Sequence, residues 1–469
     1  MKNKFAATIA LSFVLLASCA PADHEQDGMP QNLILLISDG CGPTSFTMAR
    51  EYGRLVTGDG ELVLDPYLIG TVRTYPSDTR LADSAASASA YACGVKTKKG
   101  YVGVDSTGTP VGTLLEAAER AGFRTGLIST SGITDATPAA FSAHNMDRYA
   151  QTETAAEQIR QGIEVLLGGG RSFFQTVEDG GTREDGADQI EAALDLGYAF
   201  VSNRDELLGD ARLPLLGLFA RDHMALEIDR DETDQPSLSD MFGVALELLS
   251  AGEEPFMLVV ETEGTDDAGH DNDAAANLRE ILSYEETFRM ALDFARQDGE
   301  TLLVATSDHD TGGLAIGTGG YEWSPEVLTP IQVSTSRFAS HLSRQLMEGG
   351  NPDDTKAFIR TEVESLFGLS DLPAELWREI DAHVDRAFAG GRTMGAIADL
   401  INEEISRRAG LGWSTSGHTG VDVNLYAFGP GALRFRGNQD NTVVGRRLAE
   451  TMRLDLDAVT SELRASAAE

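Results

Sequence analysis

Three apolar runs of strand length pass directly into a carboxylate without alternating with polar residues. NLILLIS (32–38) runs into Asp39, FMLVV (256–260) into Glu261 and TLLVATS (301–307) into Asp308. A fourth run, RTGLIST (124–130), heads toward Asp135 and Thr137. Unbroken Val/Ile/Leu without a period of two reads as a strand buried on both faces, which requires a parallel or mixed sheet covered by helices. The segments between supply those helices. GTLLEAAERAG (112–122) and LREILSYEETFRMALDFARQDG (278–299) have helical spacing and close near glycine. The pattern predicts an α/β fold with a mixed, mostly parallel central sheet sandwiched between helices. In such sheets ligands gather at the carboxyl ends of the strands, which is where Asp39, Glu261 and Asp308 stand.

The first residues do not belong to that core. Lys2 and Lys4 precede FAATIALSFVLL, and LASC follows. This is a signal-peptide pattern, too short and wrongly flanked for a membrane span. LASC matches a lipobox, so residues 1–18 are expected to be cleaved and Cys19 to carry lipid. Residues 19–30 then form a polar tether. Ala20 follows the cysteine and offers no inner-membrane retention aspartate, so the expectation is an exported protein on the periplasmic side of a membrane, with the outer membrane favoured. The remaining Cys41 and Cys93 make at most one pair, not a disulfide framework. Residues 31–455 read as one catalytic domain, with a mostly helical, acidic insertion around 315–410.

Lys and Arg total 37 against 74 Asp and Glu, a net charge of -37. Such a surface repels polyanions, so no nucleic-acid partner is expected. An enzyme for anionic substrates built on this chain needs locally concentrated positive charge, and metal ions are a natural source. The histidines fit that need. Only eight exist, and His309 in SDHDTGG, His270 in ETEGTDDAGHDND and His418 in SGHTG sit beside carboxylates or glycine-rich turns. Asp/His mixtures suit zinc, whereas a hydroxyl with carboxylates suits magnesium.

LADSAASASAYACGVKTKKG (81–100) adds a hydroxyl. Ser84 follows Asp83 at the head of a helix of small residues, which leaves room near the backbone. A serine hydroxyl is a weak nucleophile until a base, a dipole or a metal activates it, and a helix N-terminus with metal beside it supplies both. Capping and catalysis use the same terminus, so a cap at Asp83 or Ser84 is compatible with a nucleophile.

LLISDGCG, ADSAASASAYACGVKTKKGYVGVD, TDATPAAFSAHNMDR, LLGLFARDHM, SDHDTGG and SGHTG, in this order from about residue 31 to about 445, together resemble the alkaline phosphatase family. The resemblance implies a metal-dependent phosphomonoesterase with two zinc ions and one magnesium. Ser84 would form a covalent phosphoserine. Asp39, Asp308 and His309 would hold one zinc, and Asp266, His270 and His418 the other. Asp39, Thr137 and Glu261 would hold magnesium, with Asp135 close by. Glu261 is taken on its spacing to Asp266, although Glu263 precedes a glycine as the magnesium glutamate of relatives often does. Arg148 would clamp the phosphate. Relatives are often homodimers, so a dimer is expected by analogy.

Asp267 departs from the pattern, since relatives often carry Lys or His there. Facing the phosphate together with Asp135, it is expected to weaken phosphate binding. Two alternatives frame the expectation. A phosphodiesterase of the same superfamily shares the metal framework, but such enzymes usually carry a threonine nucleophile. A metal- or phosphate-binding lipoprotein without turnover would have no need of Ser84 and Arg148. A sulfatase needs a C/S-x-P-x-R context, which is absent.

Overall fold

The computed structural model describes residues 28–348, 350–391 and 394–466. The signal peptide, Cys19 and the tether up to residue 27 lie outside the described residues. The strands, in chain order, are β1 (Asn32–Ser38), β2 (Leu68–Arg73), β3 (Arg124–Gly132), β4 (Val165–Gly169) and β5 (Ala199–Val201). They continue with β6 (Leu215–Leu218), β7 (Phe256–Thr262), β8 (Thr301–Thr306), β9 (Asp310–Thr311) and β10 (Leu314–Ile316). The last four are β11 (Leu411–Trp413), β12 (His418–Thr419), β13 (Val423–Phe428) and β14 (Gly437–Asp440).

Ten of them form one sheet in the order β14-β2-β13-β8-β1-β7-β3-β4-β6-β5. Every pairing in it is parallel except those of β13, which runs antiparallel to both β2 and β8. β1 shows why these runs are unalternated. Ile34 and Leu36 point into the core on one side of the sheet, while Leu33, Leu35 and Ile37 point into the core on the other. With both faces dry, every position is apolar. One face is covered by helices that include Pro43–Val56, Leu238–Ser250 and Ala274–Asp298. The other is covered by Ser84–Cys93, Leu114–Arg120, Ala136–Ser142, Gln151–Gln161 and Asn441–Met452.

The four expected strands are β1, β3, β7 and β8, and they lie side by side at the sheet's centre as β8-β1-β7-β3. Register aligns their ends. Ile37 pairs with Glu261 on one side and with Thr306 on the other, and Ser129 pairs with Glu261. Asp39, Glu261, Asp308 and the loop to Asp135 therefore emerge at one edge. The segment expected as an insertion lies between β10 and β11, which pair antiparallel. Its helices Thr335–Met347, Pro352–Phe367, Ala374–Phe388 and Met394–Ala409 share the first core through Phe338, Ile359, Val363, Ile380 and Ile401. Cys41 and Cys93 are buried and unpaired. Among the described residues no helix is long and apolar enough to cross a membrane.

Candidate active site

Ser84 is the first residue of the helix Ser84–Cys93, all of which is buried. Asp83 caps it, its carboxylate accepting from the amide of Ala86 at 3.1 Å and from that of Gly100 at 2.8 Å. Gly94, at φ 67°, ends it in the left-handed conformation that glycine adopts without penalty. The neighbouring helix Asn441–Met452 packs close against its backbone: a Cβ on Gly445 would lie 2.5 Å from the Tyr91 carbonyl oxygen. Two hydroxyls tie the helix to the end of β8, Ser87 donating to the Asp308 carbonyl at 2.7 Å and Tyr91 to that of Ser307 at 2.8 Å. This sets the Ser84 Oγ 3.3 Å from His309 Nε2.

Asp39, Asp308 and His309 form one group, with His309 Nε2 3.2 Å from Asp308 and 3.5 Å from Asp39, all three fully buried. Burial, with Asp266 and Glu261 nearby, pushes the Asp308 carboxyl up to about 8. Asp39 rises well above the carboxylate range through burial and the charges of Asp308, Asp266 and Glu261. Burial and the neighbouring His418 hold His309 well below its ordinary value, so it keeps a lone pair.

Asp266, His270 and His418 form the second group. His270 donates from Nδ1 to the Ser416 carbonyl at 2.6 Å, and His418 from Nδ1 to that of Ala82 at 2.8 Å. Each tautomer so assigned leaves an Nε2 lone pair, the usual way a backbone carbonyl orients a ligating imidazole. The two Nε2 atoms lie 3.3 Å apart, and that of His270 is 3.2 Å from Asp266. Thr311 donates its hydroxyl to Asp266. The His309 and His418 rings stack at 3.7 Å and join the two groups.

The third group contains Asp39, Glu261 and Glu263. Glu261 accepts from the Ser129 hydroxyl at 2.5 Å and has the Thr137 hydroxyl beside it. Burial pushes it up to about 7. Spacing had favoured Glu261 over Glu263, but two residues apart at a strand end, both turn toward Asp39 and both are buried. The donor set fits cations. Both oxygens of Asp39, one of Asp308 and the Thr137 hydroxyl are buried and have no hydrogen-bond partner among the described residues. Converging, unsatisfied carboxylates need positive charge to be stable there.

Arg148 lies at the edge of these groups, 3.2 Å from Asp135 and 3.8 Å from Asp83. Burial opposes its charge, but Asp135, Glu263, Asp83 and Asp39 together raise its pKa above the ordinary arginine value. Its Nε has no hydrogen-bond partner among the described residues. Asp135 caps the helix Ala136–Ser142 and also accepts from Ser131.

His223 was not among the expected site residues. It follows β6 on a loop at the carboxyl edge of the sheet and stands between Asp135 and Asp267, 3.5 Å from each. Asp267, through hydrogen bonding, raises His223 to about 9 against burial. The expected pair of uncompensated acids is thus corrected, since a basic ring separates them. The histidine was visible within LLGLFARDHM, but nothing in the sequence says which loop it faces.

The family model for alkaline phosphatase matches residues 30–454. The chain belongs to the alkaline phosphatase family. It is 36% identical to the repressible alkaline phosphatase of Saccharomyces cerevisiae over 97% of this chain and 86% of that protein. Alkaline phosphatase 3 of Bacillus subtilis is 35% identical, over 91% and 90% of the two chains. The Thermus thermophilus alkaline phosphatase structure superposes with a TM-score of 0.80 at 30% identity, covering 97% of this chain and all of that one. The cold-active alkaline phosphatase of Shewanella sp. gives 0.78 at 32%, over 90% and 99%. This chain is therefore a metal-dependent phosphatase, and the large mostly parallel sheet between helices is the family's fold.

Proposed function

We propose that the protein hydrolyses phosphate monoesters through a phosphoserine at Ser84. The observation that carries this reading is the placement of a buried serine, at a helix N-terminus, beside orphaned carboxylates and the unpartnered Arg148 Nε. Asp39, Asp308 and His309 would hold one zinc ion, Asp266, His270 and His418 a second, and Asp39, Thr137 and Glu261, with Glu263 adjacent, magnesium. Bound there, these cations supply charge that lowers the pKa of the serine hydroxyl and neutralises the phosphate.

The chain's own residues do the rest. Arg148 donates to two non-bridging phosphate oxygens, its planar fork held by Asp83 and Asp135. The first-turn amides of the Ser84 helix favour the alkoxide. Ser84 Oγ bonds to phosphorus as the bond to the ester oxygen breaks, and the alcohol leaves with a proton. Water then attacks phosphorus, phosphate leaves, and Ser84 regains its proton.

The test compares p-nitrophenyl phosphate with its bis-ester, with and without chelator, and maps the acid-quenched protein for phosphoserine. Monoester turnover abolished by chelator, with label on Ser84, is expected. Faster diester turnover would make it a phosphodiesterase, and phosphate binding without turnover a binding lipoprotein. We also propose export and lipid attachment at Cys19. Palmitate labelling and outer-membrane fractionation that vanish in Cys19→Ala are the expected result.

A further inference from the structure

The site opens at His270 into a cleft of about 550 Å³ whose outer wall is the insertion helix Thr335–Met347. That helix, TSRFASHLSRQLM, contains Arg337, His341 and Arg344 and no acid, in a chain with twice as many acids as bases. The three lie four and three residues apart, which places them on one stripe of the helix. All three line the cleft, while Phe338 and Leu342 are buried in the core. We propose that this wall binds a second anionic group on the alcohol portion of the substrate, so that the enzyme prefers phosphate monoesters with a carboxylate or second phosphate on the leaving group.

The inference rests on the phosphatase reading above. In-line displacement expels the alcohol on the side of phosphorus opposite Ser84. The cleft borders Asp267 and His270, whereas Ser84 contacts His309. A leaving group emerging past His270 enters this cleft and meets the helix.

The commitments of the charged groups decide the sign of the wall. Arg337 is held by Glu232 at 2.6 Å and by the Asp229 carbonyl. Asp229 is itself taken up by the amide and hydroxyl of Ser334, at 3.0 and 2.6 Å. Asp267 faces His223. Asp271 remains on the floor beside His270. Among the described residues the side chains of Arg344 and His341 have no hydrogen-bond or ion-pair partner. The wall therefore offers an uncommitted guanidinium and a ring N–H to an anion that reaches across the cleft.

The probes are 3-phosphoglycerate and glycerol 3-phosphate, which differ in a carboxylate against a hydroxymethyl group. The readout is the ratio of their kcat/KM values in the metal-loaded full chain. Arg344→Ala is expected to lower that ratio about fivefold, mainly through KM for the carboxylate, as suits a partly exposed charge pair. Arg344→Glu should lower it further and Arg344→Lys should keep most of it. Added salt should shrink the wild-type ratio, because the pair is open to solvent. Arg344 is exposed, so the variants test the contact and not the fold. If both substrates turn over and the ratio is unmoved in the Ala and Glu variants, the subsite is overturned alone. If wild type hydrolyses p-nitrophenyl phosphate but neither probe, the subsite is overturned alone; if it hydrolyses none of the three, the monoesterase reading falls and takes the subsite with it.

Discussion

Stripping the metals should make the fold sensitive to alkali. In the metal-free protein, burial, then Asp266, raises Asp308 from its ordinary 3.8 to about 8. Burial raises Glu261 from 4.5 to about 7 against the Ser129 hydrogen bond and the nearby Thr137 hydroxyl. The folded state therefore holds protons that the unfolded chain has lost, and stability falls as pH rises until each folded-state pKa is passed. Each such proton is worth about 1.4 kcal/mol per pH unit. Between pH 6 and pH 9, Asp308 contributes over roughly two units and Glu261 over roughly one, so these two groups together remove roughly 4 kcal/mol of stability from the metal-free protein. In a chain this long that is roughly 4 °C in Tm. Bound cations keep both groups ionised in the folded state and remove their share of the slope, leaving only that of groups outside the site such as Glu119. The assay is urea or thermal unfolding followed by circular dichroism at pH 6 and pH 9, with EDTA or with zinc and magnesium. A pH dependence equal in the two samples would refute the reasoning, because the carboxylates would then be satisfied by something other than metal.

Ser84→Ala should abolish the acid-stable phosphoenzyme and lower kcat by about a hundredfold or more, read by quench and peptide mapping. Arg148→Lys keeps the charge but loses the fork, and kcat/KM for monoesters should fall about ten- to hundredfold by steady-state kinetics. Asp267→Lys removes an acid beside His223 and should tighten inhibition by inorganic phosphate, by about tenfold for each ~1.4 kcal/mol of repulsion relieved. An unchanged inhibition constant would mean that His223 already cancels the acid. Glu119 lies outside the site, where burial raises it to about 8. Its contribution to stability is lost as pH rises through that value, so Glu119→Gln should raise Tm relative to wild type more at pH 9 than at pH 6.

The sequence alone determined the central sheet and which carboxylates gather at its carboxyl edge. Runs such as NLILLIS must be buried on both faces, and a strand that ends in a carboxylate delivers it to the sheet's ligand edge. Ser84, with an acid before it and a small-residue helix after it, was legible for the same reason, since local chemistry and local structure coincide there. Tertiary structure decided what depends on loops that meet across the fold. His223 and Asp267 lie 44 positions apart in the numbering, yet the loop after β6 sets the ring 3.5 Å from that acid and from Asp135. Glu263 joined Glu261 because both turn toward Asp39 where β7 ends. The insertion helix became a wall of the cleft because its apolar stripe is buried in the core, leaving Arg337, His341 and Arg344 toward His270. Periodicity tells a helix which face to bury; only packing determines what the other face looks at.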